Sequence, residues 1–331
     1  MKEFYVEGHA SSLLPDGHNF NLVWSDEFDG DTLDMTKWDY RLSMMGKRHP
    51  AWSDKGVKIE NSCAVFRIFE EDGKIVSSQL QTGYNFLDAP IESIATDENI
   101  LQWQIGKLRE SKFTHRYGYY ECRFKLQSLA GWWSAFWMQS PIIGSSLDTG
   151  ISGIEVDIME SFSPGKIDPH VLHYNGYSVD HKSKVVGREK ENVSLDEFHT
   201  VGVLWEEDGY TFFVDGVQDG EKITDPISHT PQFILISTEV NGYRTKERTA
   251  TEEAIAAALD AFSIYGSICP LAKIAELAAQ AAAEADKEAD VEAAFTLEAK
   301  VATFSPESIK IRPVVSANIG KLFGTEGLVD P

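Results

Sequence analysis

The stretch Gly153-Ile154-Glu155-Val156-Asp157-Ile158-Met159-Glu160-Ser161-Phe162 is an apolar run interrupted by three acidic residues. Side chains alternate between the two faces of a β-strand, so Glu155 and Asp157 share a face. Glu160 lies five residues after Glu155, and plain alternation would put it on the opposite face. One extra residue, a β-bulge at Ile158-Met159, would return Glu160 to the face of the other two. The stretch therefore predicts a bulged strand with three carboxyl groups on one face.

Two interpretations of this acidic strand compete. Alternating acidic and apolar residues also describe a strand with one solvated face, but such a face usually mixes in Lys, Thr or Ser and pairs opposite charges across strands. Glycoside hydrolysis gives a reason to collect like charges, because it uses two flanking carboxyl groups, one kept protonated by its surroundings. The spacing alone leaves both interpretations open.

The acidic run resembles the active-site signature of glycoside hydrolase family 16, in its bulged form Glu-x-Asp-x-x-Glu. Further blocks resemble other parts of the same family and occur in the family's order. They are residues 22–30 followed by Trp38, then residues 117–125, the Trp-rich block 131–138, and residues 198–205 with 209–216. Together they cover about residues 20–262. The chain is thus identified as a laminarinase-like member of this family.

An all-β fold is predicted for most of the chain. Short alternating runs between residues 22 and 245 are punctuated by turn formers, and one of these runs, residues 57–69, reads as a strand. Many strands at this spacing suggest a two-sheet sandwich. The resemblance makes the fold a β-sandwich jelly roll of the concanavalin A-like kind, with a groove on one face. The predicted domains are an irregular N-terminal arm (1–20), a catalytic jelly roll (21–265) and a C-terminal extension of unknown role (266–331).

The end of the chain has a different character. Residues 246–260 read as a short capped helix. The family then expects a closing strand, which is not recognisable after Phe262. Residues 271–294 are rich in Ala and Glu and predict one helix, although its apolar face fades after Gln280. The extension is therefore expected to be helical or disordered.

The resemblance assigns a role to each carboxyl group. Glu155 is the nucleophile, and Glu160 is the general acid that later activates water. Asp157 hydrogen-bonds a neighbour, and its charge favours a protonated Glu160, because adjacent like charges raise one pKa. A retaining enzyme needs its two reacting carboxyl groups about 5–5.5 Å apart.

Substrate-binding candidates also follow from the resemblance. Trp133 and Trp137 are four residues apart, so they share a strand face and could stack on sugar rings, while Trp132 should point into the sandwich. The alternative for either tryptophan is core packing. Weaker candidates are His173, which could be structural, Asn61 and Glu239.

Charge narrows the possible substrates. The net charge is −22, which argues against nucleic acid and anionic membranes as partners and mildly against sulfated polysaccharides. The expected function is a retaining endo-acting hydrolase of β-1,3 or mixed-linkage β-glucan, a neutral polysaccharide. The alternatives are an agarase-like galactan hydrolase, a transglycosylase, or a catalytically inactive carbohydrate-binding jelly roll.

The remaining expectations concern cofactors, assembly and location. No cofactor is required, and a structural calcium ion is possible but not predicted, because part of the family's site comes from the closing strand. We expect a monomer. Three widely spaced cysteines suggest free, buried thiols rather than disulfides. No signal peptide and no membrane-spanning run is visible, so the protein would be cytoplasmic as written, and secreted if the sequence lacks its precursor signal.

Overall fold

Strands make up nearly all the regular structure of the described residues. The computed structural model describes residues 2–4, 10–44, 47–86, 88, 109–240, 266–268 and 273–277. Within these ranges the only helix is α1 (Thr149–Ser152). The strands are, in chain order, β1 (Lys2–Phe4), β2 (Ser12–Leu14), β3 (Phe20–Trp24), β4 (Asp39–Tyr40), β5 (Ser43–Met44), β6 (Lys47–Arg48), β7 (Val57–Ile59), β8 (Ala64–Phe66), β9 (Phe69–Glu71), β10 (Lys74–Val76), β11 (Gln79–Gln81), β12 (Gly118–Phe124), β13 (Trp132–Gln139), β14 (Glu155–Ser161), β15 (Lys166–Ile167), β16 (His170–Tyr174), β17 (Lys182–Val186), β18 (Lys190–Glu191), β19 (His199–Glu206), β20 (Gly209–Val214), β21 (Val217–Ile223), β22 (Phe233–Val240), β23 (Gly266–Ile268) and β24 (Lys273–Leu277).

Two large antiparallel sheets enclose the main core. One sheet has seven strands in the order β17-β16-β14-β13-β22-β11-β4, and the other has six in the order β21-β20-β19-β12-β24-β3. A single buried cluster takes Phe136 and Ile236 from the seven-stranded sheet and Tyr120, Val203 and Phe212 from the six-stranded sheet. Because both sheets contribute to one apolar interior, the fold is the predicted β-sandwich jelly roll.

Alternation along β13 separates the core from the opposite face of the seven-stranded sheet. Phe136 and Met138 are fully buried in the core between the sheets, and Trp132 is also buried, as expected. The residues between them face the other way, where Ala135 and Trp137 form a small cluster with residues of β22. This outer face carries the acidic groups of β14, so the sheet both closes the core and supports the site.

Two sequence expectations are wrong in detail. Residues 57–69 are not one strand, because β7 and β8 pair as a hairpin whose turn holds Asn61 and Ser62 at positive φ. The N-terminal arm is not irregular throughout, since β1 pairs with β2 and the Leu13 backbone N–H donates to Glu121 Oε2 at 2.9 Å. Both segments gain backbone hydrogen bonds that the residue pattern alone did not reveal.

The helix expected over residues 271–294 is wrong for its first part. Lys273–Leu277 form β24, which pairs with β12 on one side and β3 on the other. The backbone groups of β12 and β3 would otherwise be unpaired edges, and this requirement outweighs a weak helical preference. Strand β23 likewise pairs with β8. Both strands lie beyond the predicted domain boundary at residue 265. The remaining parts of the predicted helices fall outside the described residues.

Contacts group Met1–Leu277 into one compact unit and Ala278–Pro331 into a second. In the first unit Cys63 and Cys122 are buried thiols, as expected, and neither forms a disulfide with another described residue; Cys269 lies outside the described residues. Among the described residues, no helix is long and apolar enough to span a bilayer.

Candidate active site

The predicted β-bulge is present in β14. Phe136 of β13 pairs with Met159, whereas its neighbour Trp137 pairs with Asp157, so Ile158 is the extra residue. Ile158 and Met159 are both buried in the core between the sheets. The bulge therefore lets two consecutive apolar residues point inward and returns Glu160 to the outer face. This confirms the geometric expectation drawn from the spacing of the acidic residues.

A cavity of about 500 Å³ lies on the outer face of the seven-stranded sheet. It brings together all three predicted carboxyl groups and three of the predicted substrate-binding residues. The described residues that line it are Arg41, Met44, Trp52, Asn85, Asp88, Trp133, Ala135, Trp137, Gln139, Glu155, Asp157, Glu160, Tyr177, Ser237 and Glu239. A cavity of this size with aromatic walls and convergent polar groups is typical of a small-ligand or oligosaccharide subsite.

Glu155 is held by two donors at the same oxygen. Gln139 Nε2 donates to Glu155 Oε2 at 2.9 Å, and the Tyr177 hydroxyl donates to that oxygen as well. Burial raises the pKa of Glu155, while Tyr177, the nearby Arg41 and Gln139 favour the charged form and oppose that rise; the net direction is upward. Tyr177 as a residue is 45% exposed although its hydroxyl donates to the carboxylate, so this side chain reaches in from the rim.

The other two carboxyl groups have separate partners. Trp133 Nε1 donates to Glu160 Oε1 at 2.9 Å, which ties an aromatic wall of the cavity to the predicted acid. Asp157 lies beside His173, whose Nε2 is 3.4 Å from Asp157 Oδ2. On its other side His173 Nδ1 is 2.9 Å from Nε2 of His181, and the two rings stack with centroids 5.0 Å apart. The three carboxyl groups thus have different surroundings on one strand face.

A buried arginine forms one wall of the cavity. Arg41 Nε donates to Asp88 Oδ2 at 2.7 Å, and its guanidinium lies 5.0 Å from the Trp52 ring and 5.1 Å from the Trp137 ring. A charge removed from water needs such pairing, and planar Arg stacks well on aromatic faces. The position of Arg41 between two tryptophans and a carboxylate is therefore well compensated.

Glu239 shares this wall. Gln79 Nε2 donates to Glu239 Oε1 at 2.6 Å, and burial raises the pKa of Glu239 against the opposing effect of Arg41. The carboxyl group is therefore hydrogen-bonded within the cavity wall, where substrate contact remains a prediction.

The predicted residues and the observed cavity do not fully coincide. Trp133, Trp137 and Glu239 line it, and His173 lies one contact away through Asp157. Asn61 is not among its described lining residues: it is exposed at the β7–β8 turn, and its assignment as a substrate-binding residue stays a prediction. Ligand atoms of Glu155, Asp157 and His173 all lie within 4.8 Å of one another, which is close enough to hold a metal ion.

Several lining residues were missed by sequence reasoning. Gln139 continues the alternation of Trp133 and Trp137 along β13, and this signal could have found it. Arg41 and Asp88 are 47 residues apart in sequence, and Tyr177 lies in the loop after β16, so no local pattern indicated them.

Two neighbouring carboxyl groups in an aromatic-walled cavity on a β-sandwich match the carboxyl pair that glycoside hydrolases use. The sequence model described as "Glycosyl hydrolases family 16" matches residues 49–254, and the chain belongs to this family. It is similar to glucan endo-1,3-beta-glucosidase A1 of Niallia circulans, with 28% identity over 59% of this chain and 28% of that protein. It is also similar to beta-porphyranase D of Zobellia galactanivorans, with 26% identity over 57% of this chain and 44% of that protein. The chain thus spans less than half of either relative.

The fold comparison agrees. The structure of a laminarinase from Flavobacterium sp. UMI-01 superposes with a TM-score of 0.52 at 21% identity, covering 77% of this chain and all of that one. At this identity the likeness establishes the shared fold.

Proposed function

We propose that this chain is a retaining, endo-acting glycoside hydrolase that cleaves β-1,3 or mixed-linkage β-glucan by double displacement. The observation that carries the proposal is the bulge at Ile158, which places Glu155, Asp157 and Glu160 on one face beneath an aromatic-walled cavity. Without the bulge, Glu160 would point into the core, and the two-carboxylate chemistry would have no acid. Membership in family 16 supports the same reading.

In the first displacement, Glu155 and Glu160 have different roles. Glu155 attacks the anomeric carbon and forms a glycosyl-enzyme, while Glu160 gives its proton to the departing glycosidic oxygen. The hydrogen bonds from Gln139 and Tyr177 both go to Glu155 Oε2, which leaves Oε1 as the attacking oxygen. Trp133 Nε1 donates to Glu160 Oε1, which orients the carboxyl group that gives the proton.

The second displacement reverses these roles. The leaving saccharide departs, water enters, and Glu160, now ionised, removes a proton from that water as it attacks the anomeric carbon. Asp157 lies between the two glutamates and contacts His173, which fixes its orientation. Product leaves with the anomeric configuration of the substrate, and no cofactor takes part in the proposed steps.

The proposed substrate is a neutral polysaccharide. Trp133 is half-buried and offers a ring for stacking on the apolar face of a sugar, whereas Trp137 is already covered on one side by Arg41. Arg41 is paired with Asp88 and lies near Glu239, so it offers little free positive charge to a sulfate group. The net charge of −22 points the same way. We also propose that the protein acts as a monomer.

A galactan remains the second candidate, because one relative is named a porphyranase. The deciding experiment measures reducing ends and product size on laminarin, barley mixed-linkage glucan, agarose and carrageenan. Internal cleavage of laminarin or barley glucan is expected, with retention of anomeric configuration by NMR. Activity on agarose alone would move the substrate to a galactan. Inactivity of the folded protein on all four would favour a binding module.

The nucleophile has its own test. Glu155→Gln should reduce kcat by at least about 10⁴-fold, because it removes the attacking group, while oligosaccharide binding stays within a few-fold. Glu221→Gln, at an exposed site on β21, is the matched control and should retain full activity. Hydrolysis retained by Glu155→Gln would contradict the assignment.

A further inference from the structure

Ile158, the bulge residue, has no paired residue in the ladder to either neighbouring strand. The ladder between β14 and β16 pairs Glu155 with His173, Val156 with Leu172 and Asp157 with Val171, and it stops there. On the other side, the ladder to β13 skips Ile158. Ile158 is fully buried, so its carbonyl oxygen needs a donor from elsewhere, because an unsatisfied buried carbonyl costs about 1–3 kcal/mol.

His170 supplies that donor. Its Nδ1 lies 2.6 Å from the Ile158 carbonyl oxygen, and the side chain is only 1% exposed. A carbonyl oxygen can only accept, so Nδ1 must carry the hydrogen. His170 would be the next residue of β16 to pair with β14 after Val171. The ladder ends at Val171, and the His170 side chain contacts the Ile158 carbonyl instead. The carbonyl group at the bulge is thus hydrogen-bonded by a side chain rather than by a neighbouring strand.

The imidazole is itself held in place by the second sheet. Its ring stacks on Phe212 of β20 with centroids 4.4 Å apart and an interplanar angle of 13°. Its Nε2 lies 3.4 Å from Asp219 Oδ2 on β21, and Lys190 Nζ contacts Asp219 Oδ1 at 2.8 Å. A chain of polar contacts therefore runs from the edge of the six-stranded sheet, through a buried imidazole, to the bulge that orients Glu160.

We propose that His170 is a positioning residue for catalysis, which fixes the bulge at Ile158 and thereby sets the position of Glu160. The inference rests on the proposed function, since it concerns the acid of that reaction. His170 lies on the core side of the sheet and does not line the cavity. It acts on the reaction only through the backbone of β14. A displacement of about 1 Å at a reacting group can cost about a hundredfold in rate.

Three variants separate this role from plain packing. His170→Asn keeps an N–H near the position of Nδ1, and His170→Gln keeps one near Nε2, so only the first can still donate to Ile158. His170→Leu removes both donors and keeps apolar volume. Leu172→Ala is the matched control, because Leu172 is buried on the same strand and its side chain contributes only apolar packing to the core. All variants are compared below their melting temperatures.

Two substrates distinguish a loss of acid catalysis from any other loss of activity. The first is the polysaccharide that the wild type cleaves, and the second is a 2,4-dinitrophenyl glycoside of its disaccharide, whose leaving group departs without protonation. We expect His170→Leu and His170→Gln to lower kcat/KM on the polysaccharide about 10–100-fold and on the aryl glycoside no more than about threefold. His170→Asn should recover most of the polysaccharide activity, and Leu172→Ala should change the two substrates equally.

Each other outcome overturns the inference. Equal losses on both substrates for His170→Leu and His170→Gln, or no loss on either, would mean that His170 does not act through Glu160. If His170→Leu does not fold, the comparison of Asn with Gln decides, and equal activity of those two variants refutes the role. Glu160→Gln serves as the reference for a lost acid. A wild type that cleaves none of the four polysaccharides named above would instead refute the proposed function, and this inference with it.

Discussion

Opposing influences act on the charge of Glu155. Burial disfavours the carboxylate, and the hydrogen bonds from Tyr177 and Gln139, together with Arg41, favour it. The net effect raises the pKa of Glu155, so the proposed nucleophile ionises at a higher pH than an ordinary glutamate. The acid limb of the activity profile should report this ionisation, because a protonated carboxyl group cannot attack.

Tyr177→Phe should therefore move the acid limb of the kcat/KM profile to higher pH. The change removes one of the donors that favour the charged form, so burial acts with less opposition. The measurement is kcat/KM from pH 3 to 8, with Tyr174→Phe as a control at a side chain packed against the core. An unchanged acid limb in Tyr177→Phe would show that its hydroxyl does not tune the nucleophile.

At the residue scale, sequence reasoning found the three carboxyl groups that line the cavity and missed the residues that contact them. Glu155, Asp157 and Glu160 were recognisable because like charges on one strand face are unusual and match a known signature. Arg41, Asp88 and Tyr177 come from separate loops and meet only in the folded chain. The turn between β7 and β8 has a local signal, the turn formers Asn61-Ser62, within a segment that was predicted to be one strand.

At the scale of elements, the bulge in β14 could be predicted from the sequence, whereas strand β24 could not. The bulge could be predicted, because the apolar pair Ile158-Met159 between acidic residues makes sense only if both point inward. Strand β24 could not, because Lys-Ile-Ala-Glu-Leu has good helix formers and its strand character comes from pairing with β12 and β3. Local preference decides little when two open strand edges flank a segment.

A pair of truncations tests β24. A chain ending at residue 265 lacks β23 and β24, while a chain ending at residue 277 keeps both. The shorter chain should melt at a clearly lower temperature, because β3 loses its neighbour in the six-stranded sheet and β12 loses one of two. Thermal unfolding followed by circular dichroism gives the comparison. Equal melting temperatures would show that β24 contributes nothing to the sheet.

For the whole molecule, the cavity has a cost in stability. Glu155 and Glu239 both have pKa values raised chiefly by burial. A raised pKa in the folded state favours folding while the group is protonated, and the benefit is lost as pH rises through the folded pKa. At neutral pH the folded protein therefore holds two carboxylates that would be more stable in water.

Glu155→Gln and Glu239→Gln should each raise the melting temperature at pH 7, by about 2–4 °C for each kcal/mol recovered. The gain should shrink near pH 4, around the unfolded glutamate pKa of about 4.3, because the wild-type groups are then largely protonated in both states. Differential scanning calorimetry at both pH values tests this, with the exposed Glu221→Gln as control. A gain of equal size at both pH values would point to packing rather than charge.

The pairing of β3 with β24 also bears on how the protein is made. Phe20–Trp24 leave the ribosome early, yet their neighbour in the sheet, Lys273–Leu277, is about 250 residues further along the chain. At about 5–20 residues per second, synthesis leaves that edge without its partner for roughly 12 to 50 seconds. The six-stranded sheet is therefore completed late. Until then the nascent chain exposes strand edges that a chaperone could cover or that a neighbouring chain could pair with.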